Sequence, residues 1–412
     1  MKKLLALFFV ASIFFVSCTK EEVIPEPTVN PNDEVYQVNN NDLELSQRLT
    51  FINEPLKLDG ILKSGNPTFT LLAEAASPTV NGVKLSASFV LKRGNNIYVS
   101  YHERGNGYGG AIVVYNVSNI TNPTIISQMT FTKTDINAVD INQEGTFIYL
   151  AGSNRSKGAV VLKTSLLNTG ALSQNFGNMS ITKVGEAYSA NGVIQGGNWV
   201  YVSAGNSVGG LYMYNKNTMA FEDADYYTGA KYSTANGRAN GKNHLSFEAG
   251  PTSSYLHVYV IGTDDTQVER VFSVGPTTHQ NVEPEFVNFG KNAMFIKPNS
   301  DICYIARGMY GMKAFKITNG AMVYKSPEGM ITNGNTNGVG ADNDFVYMAN
   351  GAQGLFIAAP PVNGSTLNIV GVWDDPNYPG SANMVYSDNT HIFVAKGQEG
   401  GLKILLKTIY LP

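Results

Sequence analysis

Five histidines stand at His102, His244, His257, His279 and His391. None falls in an HxH or HExxH pattern or beside a cysteine at metal-ligand spacing, so no metal ion is expected. Asp264-Asp265 and Asp374-Asp375 are each adjacent in sequence. Neighbours on a strand face opposite ways, so neither pair forms an acid–base couple. No serine sits in a GxSxG elbow. The glycine-rich stretch GNGYGG at Gly105–Gly110 leads into an apolar strand pattern rather than a helix, whose N-terminus a phosphate would need; no cofactor is expected. DINQEG at Asp140–Gly145 has oxygen ligands at alternate positions but lacks the distal glutamate of a calcium loop. What remains is a scattered set of aromatic and charged groups: His102, Arg104, Arg155, His244, Arg307, Tyr310, Trp373 and Lys396. Such a mixture suits a sugar ring or an acidic ligand, provided the fold brings it together.

The elements that must position these groups are short. From about residue 66 onward, apolar residues alternate in runs bounded by Gly, Asn, Asp and Ser, the pattern of strands and turns. One strand recurs around an aromatic anchor: NIYVSY at Tyr98, FIYLAG at Tyr149, WVYVSA at Tyr201, HVYVIG at Tyr259, ICYIAR at Tyr304, FVYMAN at Tyr347 and HIFVAK at Phe393. A Gly-led apolar strand follows each copy except the fourth, where QVERVFSV stands instead. An earlier strand opens at Asn137, Asn191, Asn243, Asn292, Asn337 or Asn383, with Ser86 at the matching place in the first unit. Units of about 50 residues repeated seven times predict an all-β fold: a seven-bladed β-propeller of four-stranded antiparallel blades. After GLKILL the chain is too short for a last outer strand, so Pro67–Ala75 is expected to supply it and close the ring.

The repeated asparagines are expected to hydrogen-bond backbone at the turn into the first strand, because a folding device repeats whereas a ligand site should differ between blades. The candidate ligand groups fall on the same rim, on turns between the second and third strands and on the entries to each blade. There they are expected to be exposed and to vary from blade to blade.

The units Tyr98–Ser127 and Tyr201–Asn215, above all VSNITNP at Val117–Pro123, resemble LVIVD-type repeats. The resemblance implies a propeller and no fixed chemistry. At the other end, Lys2-Lys3 and an apolar run from Leu4 to Val16 predict a signal peptide over residues 1–17, since the run is too short to span a bilayer. FVSC, ending at Cys18, resembles the lipobox of bacterial lipoproteins, which implies lipidation at Cys18. The acidic TKEE that follows resembles the surface-export signal of Bacteroidetes lipoproteins. The localisation so implied is the outer membrane, on the cell surface or else facing the periplasm. Residues 18–65 are read as the lipidated N-terminus and a flexible tether, with Asp42 to about Gly65 left open to packing against the main domain, and residues 66–412 as the propeller.

Loss of the signal peptide removes two lysines and takes the formal charge from −3 to −5. With no basic run, nucleic acid is excluded as a partner. The partners expected are a membrane, through the lipid, and a glycan, peptide or protein at one face. Two other classes stay open. One is a propeller-type enzyme, similar to a polysaccharide lyase or lactonase, with His102 or His244 as base; the other is a structural subunit of an outer-membrane complex. With Cys18 acylated, Cys303 in the alternating strand DICYIA is left as a small buried residue with no catalytic part.

Overall fold

The structure is a computed structural model that describes residues 35–60, 67–205, 208–227, 234–239, 243–249, 253–260, 270–278, 293–297, 300–374, 380–397 and 400–409. The chain begins with β1 (Tyr36–Asn39), a single helical turn α1 (Asp42–Leu45), β2 (Leu49–Pro55) and β3 (Thr68–Ala75), followed by the small hairpin β4 (Thr79–Val80) and β5 (Val83–Lys84).

Six four-stranded antiparallel blades follow, each drawn from one uninterrupted stretch of chain. Blade 1 holds β6 (Ser86–Arg93), β7 (Asn96–His102), β8 (Gly110–Asn116) and β9 (Thr124–Phe131). Blade 2 holds β10 (Thr134–Ile141), β11 (Phe147–Asn154), β12 (Gly158–Ser165) and β13 (Ser180–Lys183). Blade 3 holds β14 (Ser189–Gly196), β15 (Trp199–Gly205), β16 (Gly210–Asn215) and β17 (Phe221–Tyr226). Blade 4 holds β18 (Thr234–Ala239), β19 (Asn243–Ala249), β20 (Ser253–Val260) and β21 (Arg270–Thr278). Blade 5 holds β22 (Met294–Ile296), β23 (Ile302–Ala306), β24 (Met312–Lys316) and β25 (Met322–Lys325). Blade 6 holds β26 (Gly338–Ala341), β27 (Val346–Ala349), β28 (Leu355–Ala359) and β29 (Asn368–Trp373).

The sheet at the seam is of another kind. Its strands β30 (Ala382–Ser387), β31 (His391–Lys396) and β32 (Gly401–Thr408) come from the C-terminal end, and β3 and then β2 complete it from the N-terminal end. Seven equivalent units are therefore not what the chain builds: six blades are contiguous, and the seam sheet is composite and five strands wide. The innermost strands β6, β10, β14, β18, β22, β26 and β30 touch in succession, and β30 returns to β6.

Blade 4 departs from the sequence register. Asn243 opens the second strand, not the first, and HVYV lies in the third strand, while the segment after QVE forms the outermost. The innermost strand is instead TANGRA, Thr234–Ala239, whose turn-like Asn236-Gly237 conceals it.

The N-terminal segment also differs from the expected tether. β1 pairs with the outer strand β9 of blade 1, and β2 pairs with β3 in the seam sheet. The single turn α1 between them is capped by Asn41, whose side chain accepts from the Glu44 N–H, and it buries Leu45 in the core shared by the seam sheet and blade 1. Residues 36–55 thus clasp the two sheets that meet at the seam. Polar composition suggested disorder, but strand pairing satisfies the backbone here without a hydrophobic core of its own.

The core lies between blades. Tyr149, Ala151 and Val161 of blade 2 pack on Val200, Val202 and Tyr212 of blade 3, and Tyr304 and Ala314 of blade 5 pack on Val346 and Met348 of blade 6. Second strands are covered on both faces and so read as nearly continuous apolar runs. The anchor tyrosines reach across as well: the Tyr98 hydroxyl donates to the Gly170 carbonyl of blade 2 at 3.0 Å. The Gly-led third strand has a steric cause. Gly354 has φ +80°, and a Cβ there would stand 2.2 Å from the Trp373 carbonyl oxygen of the neighbouring strand. Gly401, at φ +57°, faces the Ala75 carbonyl of β3 as closely, at 1.9 Å.

Candidate functional site

Cross-strand pairs Ser86–His102, His102–Gly110 and Gly110–Phe131 place the start of the innermost strand, the turn after the second and the end of the fourth at one end of the blade. This end is the upper face. The innermost strands there carry a bulge, one extra residue that re-aims a side chain. It falls at Ser88 in blade 1, Asn137 in blade 2, Asn191 in blade 3 and Asn383 in the seam sheet.

In blades 1 and 2 and in the seam sheet the re-aimed side chain bonds to the next sheet. The Ser88 hydroxyl donates to the Ile136 carbonyl at 2.8 Å, and the Asn137 amide donates to the Ala190 carbonyl at 2.9 Å. Asn337 donates to the Ala382 carbonyl at 3.2 Å, and Asn383 to the Ala87 carbonyl at 2.6 Å, which crosses the seam. Each acceptor is the residue just before the next bulge. A serine two places before the bulge adds a second contact, Ser189 to Asn191 at 2.7 Å and Ser381 to Asn383 at 2.8 Å. These asparagines form a polar girdle that sets the angle between neighbouring blades. Asn292 lies outside the described residues, and Asn243 belongs to β19.

The girdle corrects one alignment and exposes one exception. Ser88, ten residues before its anchor, is the true counterpart of the asparagines, and Ser86 is the partner serine. The signal is legible in the tripeptides Ser86-Ala87-Ser88, Ser189-Ala190-Asn191 and Ser381-Ala382-Asn383. In blade 2 the serine place is taken by Asp135. Its Oδ1 accepts from the Glu103 N–H at 3.0 Å and the Gly109 N–H at 3.2 Å, holding both ends of the loop between β7 and β8. Burial pushes this carboxyl up to about 7, against the lowering effect of those two N–H groups, and the nearby Glu103 carboxylate raises it further.

That loop reaches toward the entry to blade 3. The Tyr108 hydroxyl donates to the Tyr188 hydroxyl at 3.1 Å, and burial, that hydrogen bond and the nearby Asp135 push the Tyr108 phenol well above its usual range against the opposing charge of Arg155. Tyr188 is 45% exposed, and Arg104 and Arg155 are exposed. Glu103 turns inward: a Cβ on Gly107 would fall 1.8 Å from its Oε1. His102 ends β7, half-buried, below this group. The structure thus gathers His102, Arg104 and Arg155 into one sector over blades 1 to 3. It adds Tyr108, Asp135 and Tyr188.

The other candidates do not join them. Arg307 is only 8% exposed, 5.8 Å from the Tyr310 ring centroid, and burial pushes it down to about 10 although Tyr310 acts the other way. Lys396 is 2% exposed and Trp373 5%, the ammonium lying 5.6 Å from the indole centroid where blade 6 meets the seam sheet. Expected as exposed ligand groups, these two form a buried cation–π contact instead. His244 lies in β19, and its side chain is outside the described residues.

The sequence matches no family model and no curated protein. Among solved structures it is similar to the WD40 beta propeller domain of Doa1, with 9% identity over 82% of this chain and 97% of that chain and a TM-score of 0.51. It is also similar to a chain in the crystal structure of the mitotic checkpoint complex, with 10% identity over 80% of this chain and 93% of that chain and a TM-score of 0.54. The likeness is one of fold alone. It supports an all-β propeller with four-stranded blades, and the LVIVD resemblance has no matching model beside it.

The lower face is built for cohesion. Asp342, in the turn between β26 and β27, accepts at Oδ2 from Lys407 at 2.8 Å, from the Tyr347 hydroxyl at 2.7 Å and from Ser387 at 2.7 Å. Its Oδ1 accepts from the Asp344 and Phe345 N–H groups, each at 2.9 Å. Burial works against this carboxylate, yet the Lys407 ammonium and the other donors hold it below the usual carboxylate range. Lys92 and His391 hold Asp388 in the same way between blade 1 and the seam sheet. Lys163 donates to the Lys216 and Asn217 carbonyls of blade 3 at 2.7 and 3.0 Å. Cys303 is buried in β23, where burial pushes its thiol well above the usual range, so it is no nucleophile. Among the described residues, no group of three His, Cys, Asp or Glu side chains is placed to hold a metal ion.

Proposed function

We propose that this chain is a lipid-anchored binding module whose upper face presents a surface to a glycan, peptide or partner protein. In this reading the composite sheet serves as the seventh blade of a closed, LVIVD-like ring. Cys18 carries the lipid, and the protein resides at the outer membrane, on the cell surface or else facing the periplasm.

The distribution of exposed tyrosines carries the reading. Among the described residues, the tyrosines more than a third exposed are Tyr188, Tyr226 and Tyr310, and all three stand at the upper face. Tyrosine offers an apolar ring and a polar tip at low entropic cost, and it is favoured where a surface must bind. The lower face spends its polar groups on joining blades. The girdle beneath the upper face repeats at four junctions among the described residues, whereas the loops above it differ, as expected of variable loops on a rigid scaffold.

The test is a screen of the mature chain against a glycan array and a set of outer-membrane proteins, followed by two groups of variants. Tyr226→Ala and Tyr310→Ala should weaken the interaction found, while Leu167→Ala and Val362→Ala, exposed at the other end, should not. Loss confined to the second pair would reverse the assignment of faces.

A further inference from the structure

We infer that the upper rim over blades 1 to 3 is a subsite for an acidic saccharide, with Tyr108 and Tyr188 as a platform for the sugar and Arg155 as the counter-ion of its carboxylate. The inference rests on the upper-face reading and names the ligand class. The two phenols are joined at 3.1 Å, Tyr108 donating, so the Tyr188 hydroxyl hydrogen is left to donate outward. Tyr188 comes from the entry to blade 3 and Tyr108 from the loop after β7, so the pair bridges sheets that the girdle already holds in register. The platform is therefore rigid before a ligand arrives, which lowers the entropic cost of binding.

Charge selects the ligand further. Arg155 and Lys157 are exposed in the turn between β11 and β12, beside the Tyr188 backbone that Gly158 approaches. The two acidic groups nearby are held against the loop between β7 and β8. The Glu103 carboxylate is folded against Gly107 and Gly109, and Asp135 lies beneath the loop, held up to about 7 by burial so that it is only partly charged near neutrality. A guanidinium meets a carboxylate through two parallel hydrogen bonds, and a phenol ring meets the apolar face of a pyranose. An acidic peptide would call for a strand edge or side-chain pockets, which makes it the alternative that the titration must separate.

Isothermal titration of the mature chain with an oligogalacturonate, a neutral galactose oligomer of equal length and polyglutamate decides the matter. The expected result is that the uronide binds and the neutral oligomer binds at least ten-fold more weakly. Tyr188→Ala should weaken both sugars, whereas Arg155→Gln should weaken the uronide ten-fold or more and leave the neutral oligomer unchanged. Both variants should melt as the parent does. Equal affinity for the two sugars, uronide binding indifferent to both variants, or binding of polyglutamate alone would each overturn the inference, the last in favour of a peptide site. Hydrogen exchange with the uronide bound separates this inference from the reading beneath it. Protection at Arg307–Tyr310 instead of this sector overturns the subsite alone, and protection on the lower face overturns both. No binding of any probe ends the saccharide inference and leaves the upper face to the array screen.

Discussion

Asp135 should make this protein less stable as the solution becomes more alkaline, against the usual course of acid denaturation. A carboxyl whose folded-state pKa is raised contributes stability that is complete below its unfolded value and is lost as pH rises through the folded one. Here the ordinary value is 3.8 and the folded one about 7, so the window runs from about pH 4 to about pH 7. A difference of that size corresponds to about 4 kcal/mol between the two protonation states. That is an upper bound, because the Glu103–Gly109 loop can open and let water reach the ionised group. Asp135→Asn keeps an oxygen for the Glu103 and Gly109 N–H groups and removes the charge. At pH 4 the variant should match the parent within about 0.5 kcal/mol, and at pH 8 it should be more stable by about 1–4 kcal/mol. Urea unfolding of both proteins from pH 4 to pH 8.5 measures the difference, and taking the difference cancels every other titrating group. Parallel stability curves for the two proteins would refute the reasoning. A variant that loses stability with rising pH more steeply than the parent would refute it too.

On the lower face, Lys407→Met should cost about 3–5 kcal/mol in urea unfolding, because it leaves Asp342 charged and buried with neutral donors only; adding Asp342→Asn should recover most of it. Gly354→Ala should lower stability by about 1–3 kcal/mol through its positive φ and the Trp373 carbonyl in its way, seen as a fall in melting temperature. Asn383→Ala should cost about 0.5–2 kcal/mol by cutting the girdle at the seam, with affinity for any upper-face ligand unchanged in titration. Cys18→Ala should release the protein from membranes on fractionation and abolish metabolic lipid labelling.

Strand-level features were legible in the sequence wherever burial enforces a pattern. The anchor strands at Tyr98, Tyr304 and Phe393 are covered on both sides, and their apolar runs say so. Blade 4 shows the limit: Tyr259 sits in a run that looks like every other second strand, but the order of strands depends on where TANGRA pairs, and Asn236-Gly237 reads locally as a turn. Residues 36–55 were illegible for a related reason, since a clasp bound through backbone hydrogen bonds needs no apolar periodicity. The candidate site fared similarly. His102, Arg104 and Arg155 come together because their loops are neighbours around the ring, which the repeat predicts. Trp373 and Lys396 were misjudged because side-chain type does not reveal whether a rim position looks outward or into the next sheet. Asp135 could have been found by aligning it with Ser86, Ser189 and Ser381, where an acid replaces a hydroxyl.

The composite seam sheet also fixes when folding can finish. Glu74 of β3 and Lys403 of β32 pair directly across the seam in a buried ion pair, 329 residues apart. Bringing such distant segments together costs about 5 kcal/mol in loop entropy, and the pair β2–β3 cannot join the pair β30–β31 until β32 is available to lie between them. During synthesis, blades 1 to 6 have all their strands before the seam sheet has its last. A chain stopped short of Gly401 would leave one edge of β3 and one edge of β31 unpaired, a template for association with other chains. Closure is thus a test of completeness: with β32 in place the facing edges of β3 and β31 are covered, and an unfinished chain displays both to chaperones and proteases.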